Sequence, residues 1–280
     1  MSLAAACALV ASGAAEAEDA AWRHSSALQA RSNRPGFGLL SFTGYRQRLY
    51  AGTEHLLLRG AYLEAGLVTQ LSPASFHPGA YVEAVPIAPL LLRLTAQRLM
   101  YFGTFGPVST TPSPDSAWSG AVLDDFQRDG GRPGSGTLAE AMVVVRLKVG
   151  PVVGLLENRL GYYDAAVPTG VGWYEPVTDL LLAEKDLLHT TKGTLGYLVH
   201  GALNGDRFLV VGGHWERYAA RESESVRHIA GAVALWRALD CSGAPVTFAA
   251  LAGVMAFDRY RTGDPYIGLV AQVDVGGPDP

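Results

Sequence analysis

The chain has 280 residues with a formal net charge of −4; 49% of its residues are hydrophobic and only 17% are charged. Ordinary soluble domains carry about 25% charged residues, so this composition is too apolar for a typical soluble surface. The acidic balance argues against a nucleic-acid partner, and no stretch reaches the roughly 18 consecutive apolar residues of a membrane helix. A membrane β-barrel explains both facts, because its apolar residues occupy alternate positions and never form a long run.

The first residues have the features of an export signal. Residues 2–15 are small and apolar, and Ala15-Glu16-Ala17 matches an A-x-A cleavage site. We therefore expect residues 1–17 to be a signal peptide; a lipobox ending at Cys7 and a disordered Ala-rich terminus are the alternatives. Residues 18–35 are polar and show no clear period, so we predict an N-terminal linker or short helix there.

From residue 36 onward, apolar and polar residues alternate in successive segments. The clearest, 138–149, places Val143 on one face and both Glu140 and Arg146 on the other, which is the period of two that a half-buried strand requires. The same alternation recurs at 90–97. These segments predict a barrel over residues 36–276, followed by a short C-terminal tail at 277–280.

The predicted fold is all-β: a transmembrane, antiparallel, up-and-down β-barrel of about twelve strands, within a range of ten to fourteen. Tight connectors such as Asn204-Gly205-Asp206 join several neighbours and favour antiparallel pairing. The candidate strands are 37–50, 55–71, 76–86, 89–102, 138–149, 151–163, 176–188, 193–204, 206–219, 225–239, 245–260 and 265–275.

This set of strands conflicts with the usual topology of outer-membrane barrels, which keep long loops outside and short turns in the periplasm. The long connector 104–137 follows an even-numbered strand and would therefore face the periplasm. Either one strand is missing before residue 104, or this barrel departs from the rule.

Two stretches carry a family resemblance. Gly44-Tyr45-Arg46 is one, and the other runs from Leu71-Ser72-Pro73-Ala74 to Tyr101-Phe102-Gly103. Together they resemble uncharacterised outer-membrane β-barrel proteins of Gram-negative bacteria, mainly over residues 40–106. The resemblance implies a barrel located in the bacterial outer membrane, in contact with its lipid, and it brings no catalytic residues.

Strand alternation also predicts which polar side chains point into the barrel. Their mixed charges allow two interpretations: a narrow channel for small solutes, selected by the charges, or a lumen plugged by internal ion pairs, since buried charges need partners. The pore-lining candidates are Glu83, Arg93, Gln97, Glu140, Arg146, Lys148, Glu157, Arg159, His200, Gln272 and Asp274.

Three other functions remain open at this point. A barrel enzyme acting on lipids would need a hydroxyl nucleophile beside a histidine, and His189 with Thr190 and Thr191, or His228 with Ser223 and Ser225, are the segments to consider. A soluble secreted β-barrel or sandwich could bind an apolar ligand inside, and a structural barrel with a blocked lumen could contact other proteins through 104–137. No phosphate-loop or zinc motif occurs, so we predict no cofactor and no metal. Acidic connector residues such as Asp179 and Asp186 could bind calcium but are expected to be solvated.

Overall fold

The computed structural model describes residues 20–32, 36–50, 55–102, 110–114, 116, 133–203, 207–239, 245–258 and 261–276. No helix among these residues is long and apolar enough to cross a membrane. In this part of the chain the strands are β1 Ala20–Arg31, β2 Gly36–Arg48, β3 Tyr62–Leu71, β4 Ser75–Ile87, β5 Leu90–Tyr101, β6 Thr110–Thr111, β7 Gly134–Val149, β8 Val152–Ala165, β9 Gly172–Glu175, β10 Leu180–Ala183, β11 Lys185–Gly201, β12 Phe208–Ala220, β13 Val226–Leu239, β14 Pro245–Asp258 and β15 Pro265–Gly276.

Twelve of these strands close into one antiparallel barrel, in which each strand pairs with the next barrel strand along the chain; β5 therefore pairs with β7, and β8 with β11. β1 pairs with both β2 and β15 and so closes the ring. Closure matters because lipid offers no partner for an unpaired backbone amide or carbonyl. β6, β9 and β10 form a separate three-stranded sheet. The predicted all-β, up-and-down barrel is confirmed.

The outer wall of the barrel is apolar. Leu67, Leu94 and Leu195 are each more than 60% exposed on it, whereas alternate residues such as Val68 and Leu99 are buried inside. This arrangement inverts that of a soluble barrel, which hides its leucines, and it is the surface of a membrane-spanning barrel.

The two ends of the barrel differ in their connections. The turns at 88–89 and 150–151 lie at one end, here called the short-turn end, and the connections 102–133 and 166–184 lie at the other, the long-loop end. Outward aromatic pairs mark the short-turn end: Trp22 with Tyr45 at 5.7 Å between ring centroids, and Trp236 with Phe248 at 5.5 Å. These pairs lie where an aromatic girdle meets the membrane interface.

One barrel strand was not predicted from the sequence. Residues 20–31 form β1 and are not a linker or short helix. The outward face of β1 carries His24 and Ser26 between apolar residues, so its alternation does not appear in a hydropathy pattern. Counting β1 makes 102–133 follow the fifth barrel strand, which removes the topological conflict. The predicted signal peptide 1–17 and tail 277–280 lie outside the described residues.

Two further strand assignments were wrong. β3 begins at Tyr62, not at residue 55, because residues 55–61 form turns. The predicted strands 176–188 and 193–204 are replaced by one long strand, β11, preceded by β10. Polar residues near the middle of β11 interrupt its apolar face and suggested a turn. The strand that was not predicted, β1, and the division of β11 into two predicted strands offset each other in the count. The predicted number of twelve strands therefore agrees with the structure, although these assignments do not.

Candidate functional site in the lumen

Four ionisable side chains form one row across β2 to β5 inside the barrel. Arg46 is the register partner of Glu64, Glu64 of Glu83, and Glu83 of Arg93. Arg46 Nε donates to Glu64 Oε2 at 2.6 Å, and Arg93 Nε donates to Glu83 Oε2 at 2.6 Å. Glu83 also accepts a hydrogen bond from the Tyr62 hydroxyl. The row is neutral overall, and each buried carboxylate has a cation beside it.

A second charged cluster joins β7, β8 and β11. Glu157 Oε1 accepts from Arg159 Nε at 2.6 Å and lies 3.3 Å from Lys192 Nζ. Arg159 Nη1 also reaches Glu140 Oε1 at 3.4 Å. Glu157 and Lys192 are at most 3% exposed. Charges removed from water this completely require partners, and the cluster supplies two cations and two carboxylates.

A third polar group lies on β11 and β12. His214 joins Thr194 Oγ1 at 2.7 Å through Nδ1 and Glu216 Oε1 at 2.9 Å through Nε2. The Tyr218 hydroxyl donates to the other oxygen of Glu216. All four side chains are buried, and they form their hydrogen bonds with one another.

The inner side of β12 to β14 carries an apolar cluster beside buried polar residues such as His214, Arg227 and Arg237. Phe208, Val210, Leu235 and Leu251 point inward and are at most 5% exposed, and they belong to one hydrophobic cluster that also includes Trp173. Side chains this buried cannot line a wide water-filled pore. The interior is therefore packed, with polar clusters and apolar side chains next to each other.

A hairpin closes the long-loop end. It consists of β9, a turn and β10 (residues 172–183), and we call it the latch hairpin. Trp173 and Leu182 are completely buried; the Trp173 ring lies 5.7 Å from that of Tyr101 and 6.4 Å from that of Tyr163. Glu175 accepts from the Tyr101 hydroxyl at 3.1 Å. The hairpin is thus packed inside the mouth of the barrel.

Three arginines from the barrel wall bind the turn of the latch hairpin. Arg261 Nη1 donates to Asp179 Oδ2 at 2.7 Å, and Arg227 Nη1 donates to the same oxygen at 3.0 Å. Arg31 Nη1 donates to the carbonyl of Val177 at 3.1 Å. These arginines come from β13, from the connection after β14, and from the end of β1. Asp179 adopts a left-handed backbone conformation, with φ of 57°, which aspartate tolerates better than most residues.

The electrostatics of the turn follow from these contacts. Burial acts to raise the pKa of the Asp179 carboxyl, but Arg261, Arg31 and Arg227 outweigh it and hold that pKa below its usual range. Burial raises the pKa of Glu175, with hydrogen bonds from Thr178 opposing the rise. Asp179 is therefore an anion in the turn. The expectation that Asp179 and Asp186 are solvated is wrong, because each is only 1% exposed.

A small internal cavity lies beneath the latch hairpin. Its lining includes Gln97, Glu140, Lys192 and Glu175, so it is bounded by polar groups from the wall and from the hairpin. His77 also lines it and is 2% exposed, and its Nε2 has no hydrogen-bond partner among the described residues. Apolar side chains such as Leu99 and Leu188 also line it, so the cavity is of mixed character and has polar partners for a water molecule.

Most of the predicted pore-lining residues lie on the inner face. The structure brings Glu83 and Arg93 together, Glu140, Glu157 and Arg159 together, and Gln272 beside Asp274 at 2.9 Å. Because these inward residues pair with their neighbours, they fit a plugged lumen better than a channel lined by free charges. The nine that face inward are Glu83, Arg93, Gln97, Glu140, Arg146, Glu157, Arg159, Gln272 and Asp274.

His200 and Lys148 differ from the prediction. A bulge between Leu198 and His200 shifts the register of β11, so His200 comes to lie opposite Leu209 and is exposed. A single inserted residue moves every later side chain to the other face of a sheet. Lys148 keeps the inward parity but is exposed, because it lies beside the 150–151 turn.

Several residues that face the lumen were not predicted from the sequence. Glu64 follows from the alternation of β3, once its start is known. Lys192 was lost because β11 was divided at that point. Asp179 and Arg261 lie in connections, and no strand period could have placed them together.

The hydroxyl and histidine segments considered for lipid chemistry do not form a nucleophile–base pair. Thr190 points inward and is buried. Thr191 Oγ1 lies 3.4 Å from His189 Nε2 and instead donates to Asn158 Oδ1 at 2.9 Å. His228 stands between the aromatic rings of Trp215 and Phe257 on the outer wall.

Known proteins are similar to this chain in structure, and no match was found by sequence. No protein-family model and no curated protein sequence matches it. The β domain of the Bordetella autotransporter BrkA is similar with a TM-score of 0.45 at 13% identity, covering 94% of this chain and 100% of that one. An outer-membrane protein of Vibrio cholerae, OmpT in its trimer form, gives a TM-score of 0.37 at 8% identity, covering 92% and 98%. OccK8 (OprE) of Pseudomonas aeruginosa gives 0.23 at 8%, covering 92% and 97%. Likenesses this distant carry no activity over to this chain.

Proposed function

We propose that this chain is an integral β-barrel of the bacterial outer membrane whose lumen is closed by its own side chains and by the latch hairpin. The closed barrel, the apolar outer wall and the aromatic pairs at the short-turn end support the membrane location. Outer-membrane barrels place long loops outside and short turns in the periplasm, so the latch hairpin covers the outer mouth.

The observation that carries this proposal is the binding of one buried turn by three parts of the wall. Asp179 is 1% exposed and receives hydrogen bonds from both Arg227 and Arg261. Charge-assisted hydrogen bonds of this kind are about twice as strong as neutral ones. A loop that merely rested on the mouth would have no such network, so closure is built into the resting state.

A second candidate is a narrow channel for small solutes that opens when the latch hairpin leaves the mouth. The cavity beneath the hairpin supports it, because Gln97, Glu140 and Lys192 line that cavity and would then face the solute. The charged row of Glu83 and Arg93 would lie further along the same path and would favour small polar solutes over apolar ones.

Planar-bilayer conductance tests both candidates. The protein is refolded in detergent, a heat-dependent shift on SDS gels confirms folding, and wild type is compared with Asp179→Ala. Asp164→Asn is the matched control, because Asp164 forms a long, exposed pair with Lys185 at 3.7 Å. We expect wild type and the control to show no discrete conductance steps.

The outcomes separate the alternatives. Reproducible steps from the wild type would contradict a closed resting lumen. Steps from Asp179→Ala alone would support the gated channel, and silence from every variant would support a barrel with no path through it. Recovery of the protein in a soluble fraction, without detergent, would contradict the membrane location.

A further inference from the structure

A polar patch interrupts the apolar outer wall on β1 and β2. Four outward residues form it, as two cross-strand pairs: His24 opposite Thr43 and Ser26 opposite Ser41. Below them, toward the short-turn end, stands the aromatic pair of Trp22 and Tyr45, and above them Leu28 lies opposite Leu39. The patch is therefore bounded by apolar residues along both strands.

The four side chains form a continuous hydrogen-bonded chain. Ser26 Oγ lies 2.8 Å from His24 Nε2, and His24 Nδ1 lies 2.8 Å from Thr43 Oγ1. Ser26 Oγ also lies 2.8 Å from Ser41 Oγ. Polar groups on a lipid-facing wall are costly and mark functional positions, and here each of them is held in a defined orientation.

This order of groups is that of an activated serine. A serine hydroxyl becomes a nucleophile when an imidazole nitrogen accepts its proton, and a third group must hold the ring in the correct orientation. In the tautomer that carries its proton on Nδ1, His24 accepts from the Ser26 hydroxyl at Nε2 and donates through Nδ1–H to the Thr43 oxygen. The hydroxyl of Thr43 is a neutral partner, so it fixes the ring without adding a negative charge.

The depth of the patch points to a substrate class. Two to four residues separate it from the Trp22–Tyr45 pair, which corresponds to roughly 5 to 10 Å along the membrane normal for a tilted strand. The Trp22–Tyr45 pair marks the boundary between head groups and acyl chains, where the acyl esters of glycerophospholipids lie, so the patch stands on the acyl-chain side of those esters. Leu28 and Leu39 are exposed beside the patch and offer a surface for an acyl chain.

We propose that Ser26 and His24 form the catalytic pair of an esterase on the outer wall, which hydrolyses acyl esters of glycerophospholipids in the leaflet at the short-turn end. Thr43 is a positioning residue. This activity would take place on the lipid side of the wall and does not depend on whether the lumen is open or closed.

The reaction proceeds in two balanced steps. Ser26 Oγ attacks the ester carbonyl carbon while its proton moves to His24 Nε2; the C–O bond to glycerol then breaks, and that proton passes to the leaving alkoxide. A lysophospholipid departs and an acyl ester of Ser26 remains. Water from the interface then attacks this ester, His24 takes the water's proton and returns it to Ser26 Oγ, and a fatty acid is released.

The oxyanion of each tetrahedral intermediate needs a donor. Strand amides in a closed barrel are committed to the ladder, so the donor must come from a side chain. The Ser41 hydroxyl, 2.8 Å from Ser26 Oγ, is close enough to rotate toward the developing charge.

Phospholipid hydrolysis by the refolded full chain tests the proposal. The protein is mixed with micelles of phosphatidylethanolamine and phosphatidylglycerol, and fatty acid and lysophospholipid are followed by mass spectrometry. Ser26→Ala is compared with Ser25→Ala, a matched control on the same strand, because Ser25 faces the lumen and accepts from Gln272 at 3.2 Å. Heat shift on SDS gels confirms that each variant is folded.

We expect Ser25→Ala to release fatty acid and lysophospholipid in the same amounts as wild type. The rates of Ser26→Ala and His24→Ala should each fall at least about a hundredfold. A fluorophosphonate probe should label Ser26 in wild type and not in Ser26→Ala. Thr43→Val should lower kcat with little change in KM, and Thr43→Ser should restore it. A folded wild type that releases no fatty acid and takes no label, or a Ser26→Ala variant as active as wild type, would overturn the proposal.

Discussion

Glu157 illustrates what one buried charge does in this lumen. Its side chain is 1% exposed and lies between Arg159, at 2.6 Å, and Lys192, at 3.3 Å. Neither cation can return to water without opening the barrel wall. Removing the carboxylate would therefore leave two buried positive charges with a reduced set of partners, which is far more costly than losing a surface ion pair.

We predict that Glu157→Gln lowers the free energy of unfolding by about 3 kcal/mol, measured by urea titration of the protein in lipid vesicles. The control is Asp164→Asn, which removes an exposed pair with Lys185 at 3.7 Å and should change the same quantity by less than about 0.5 kcal/mol. Equal effects of the two substitutions would mean that water reaches Glu157 in the folded barrel.

The alternation of inward and outward residues along a strand determines which buried charged residues can be predicted from the sequence. Alternation placed Glu157 and Arg159 inside correctly, because both lie on a regular strand. It could not show that Lys192 joins them, since the neighbour of β8 depends on closure of the whole barrel. His200 was assigned to the wrong face because a bulge leaves no clear mark in the sequence.

At the scale of an element, β11 and β12 approach each other closely where two glycines meet. Gly212 is the register partner of Gly196, and a Cβ on Gly212 would lie 2.1 Å from the Leu195 carbonyl oxygen and 2.5 Å from the Gly196 Cα. The adjacent Gly213 has open space at the same position. Backbone atoms cannot rotate away, so the two glycines should respond very differently to substitution.

We predict that Gly212→Val destabilises the barrel by about 2 kcal/mol or more, as overpacking does, whereas Gly213→Val changes its stability little. The urea midpoint in lipid vesicles measures both. A similar midpoint for the two variants would show that β11 and β12 can separate at this point without cost.

Two of the misread elements, β1 and β11, share one physical feature: polar residues on the face that meets lipid. His24 and Ser26 hid β1, and His189 with Thr191 divided β11. By contrast, β7 and β15 keep an uninterrupted apolar outer face, and their alternation was readable. Segment 225–239 has a helix-compatible spacing, yet it is a strand, because pairing with both neighbours in a closed barrel outweighs a local preference.

The latch hairpin contains two carboxyls with opposite responses to pH. The pKa of Glu175 is raised by burial, so its contribution is fully present below its unfolded pKa and is lost as the pH rises through its folded pKa. The pKa of Asp179 is lowered, against the effect of burial, by Arg261, Arg31 and Arg227. Its contribution is present above its unfolded pKa and is lost as the pH falls through its folded pKa.

We predict that docking of the latch hairpin weakens as the pH rises through the raised pKa of Glu175 and weakens again in acid, as the pH falls through the lowered pKa of Asp179. Hydrogen exchange of the Leu180 and Leu182 amides measures docking. Glu175→Gln should remove the weakening at rising pH and leave the weakening in acid unchanged. An unchanged response in that variant would assign the effect to another group.

At the scale of the whole molecule, closure depends on a segment whose sequence gives little sign of a strand. β1 pairs with β2 from Ala20 to Arg31 and with β15 from Arg23 to Arg31. With β1 present the barrel has twelve strands, and every neighbour is antiparallel. Without it, β2 and β15 would run in the same direction, so the remaining eleven strands could close only through a parallel pair with a new register.

We predict that deletion of residues 1–31 abolishes folding, whereas deletion of residues 1–19 does not. The shorter deletion leaves β1 whole and is the matched control. The longer one exposes two strand edges to lipid, where each unpaired backbone group costs several kcal/mol, and rejoining β2 to β15 would require breaking the antiparallel pattern. Heat shift on SDS gels and protease resistance in vesicles measure the outcome. A heat-shifting, protease-resistant band from the longer deletion would mean that eleven strands suffice, and that β1 is attached to the barrel without being needed to close it.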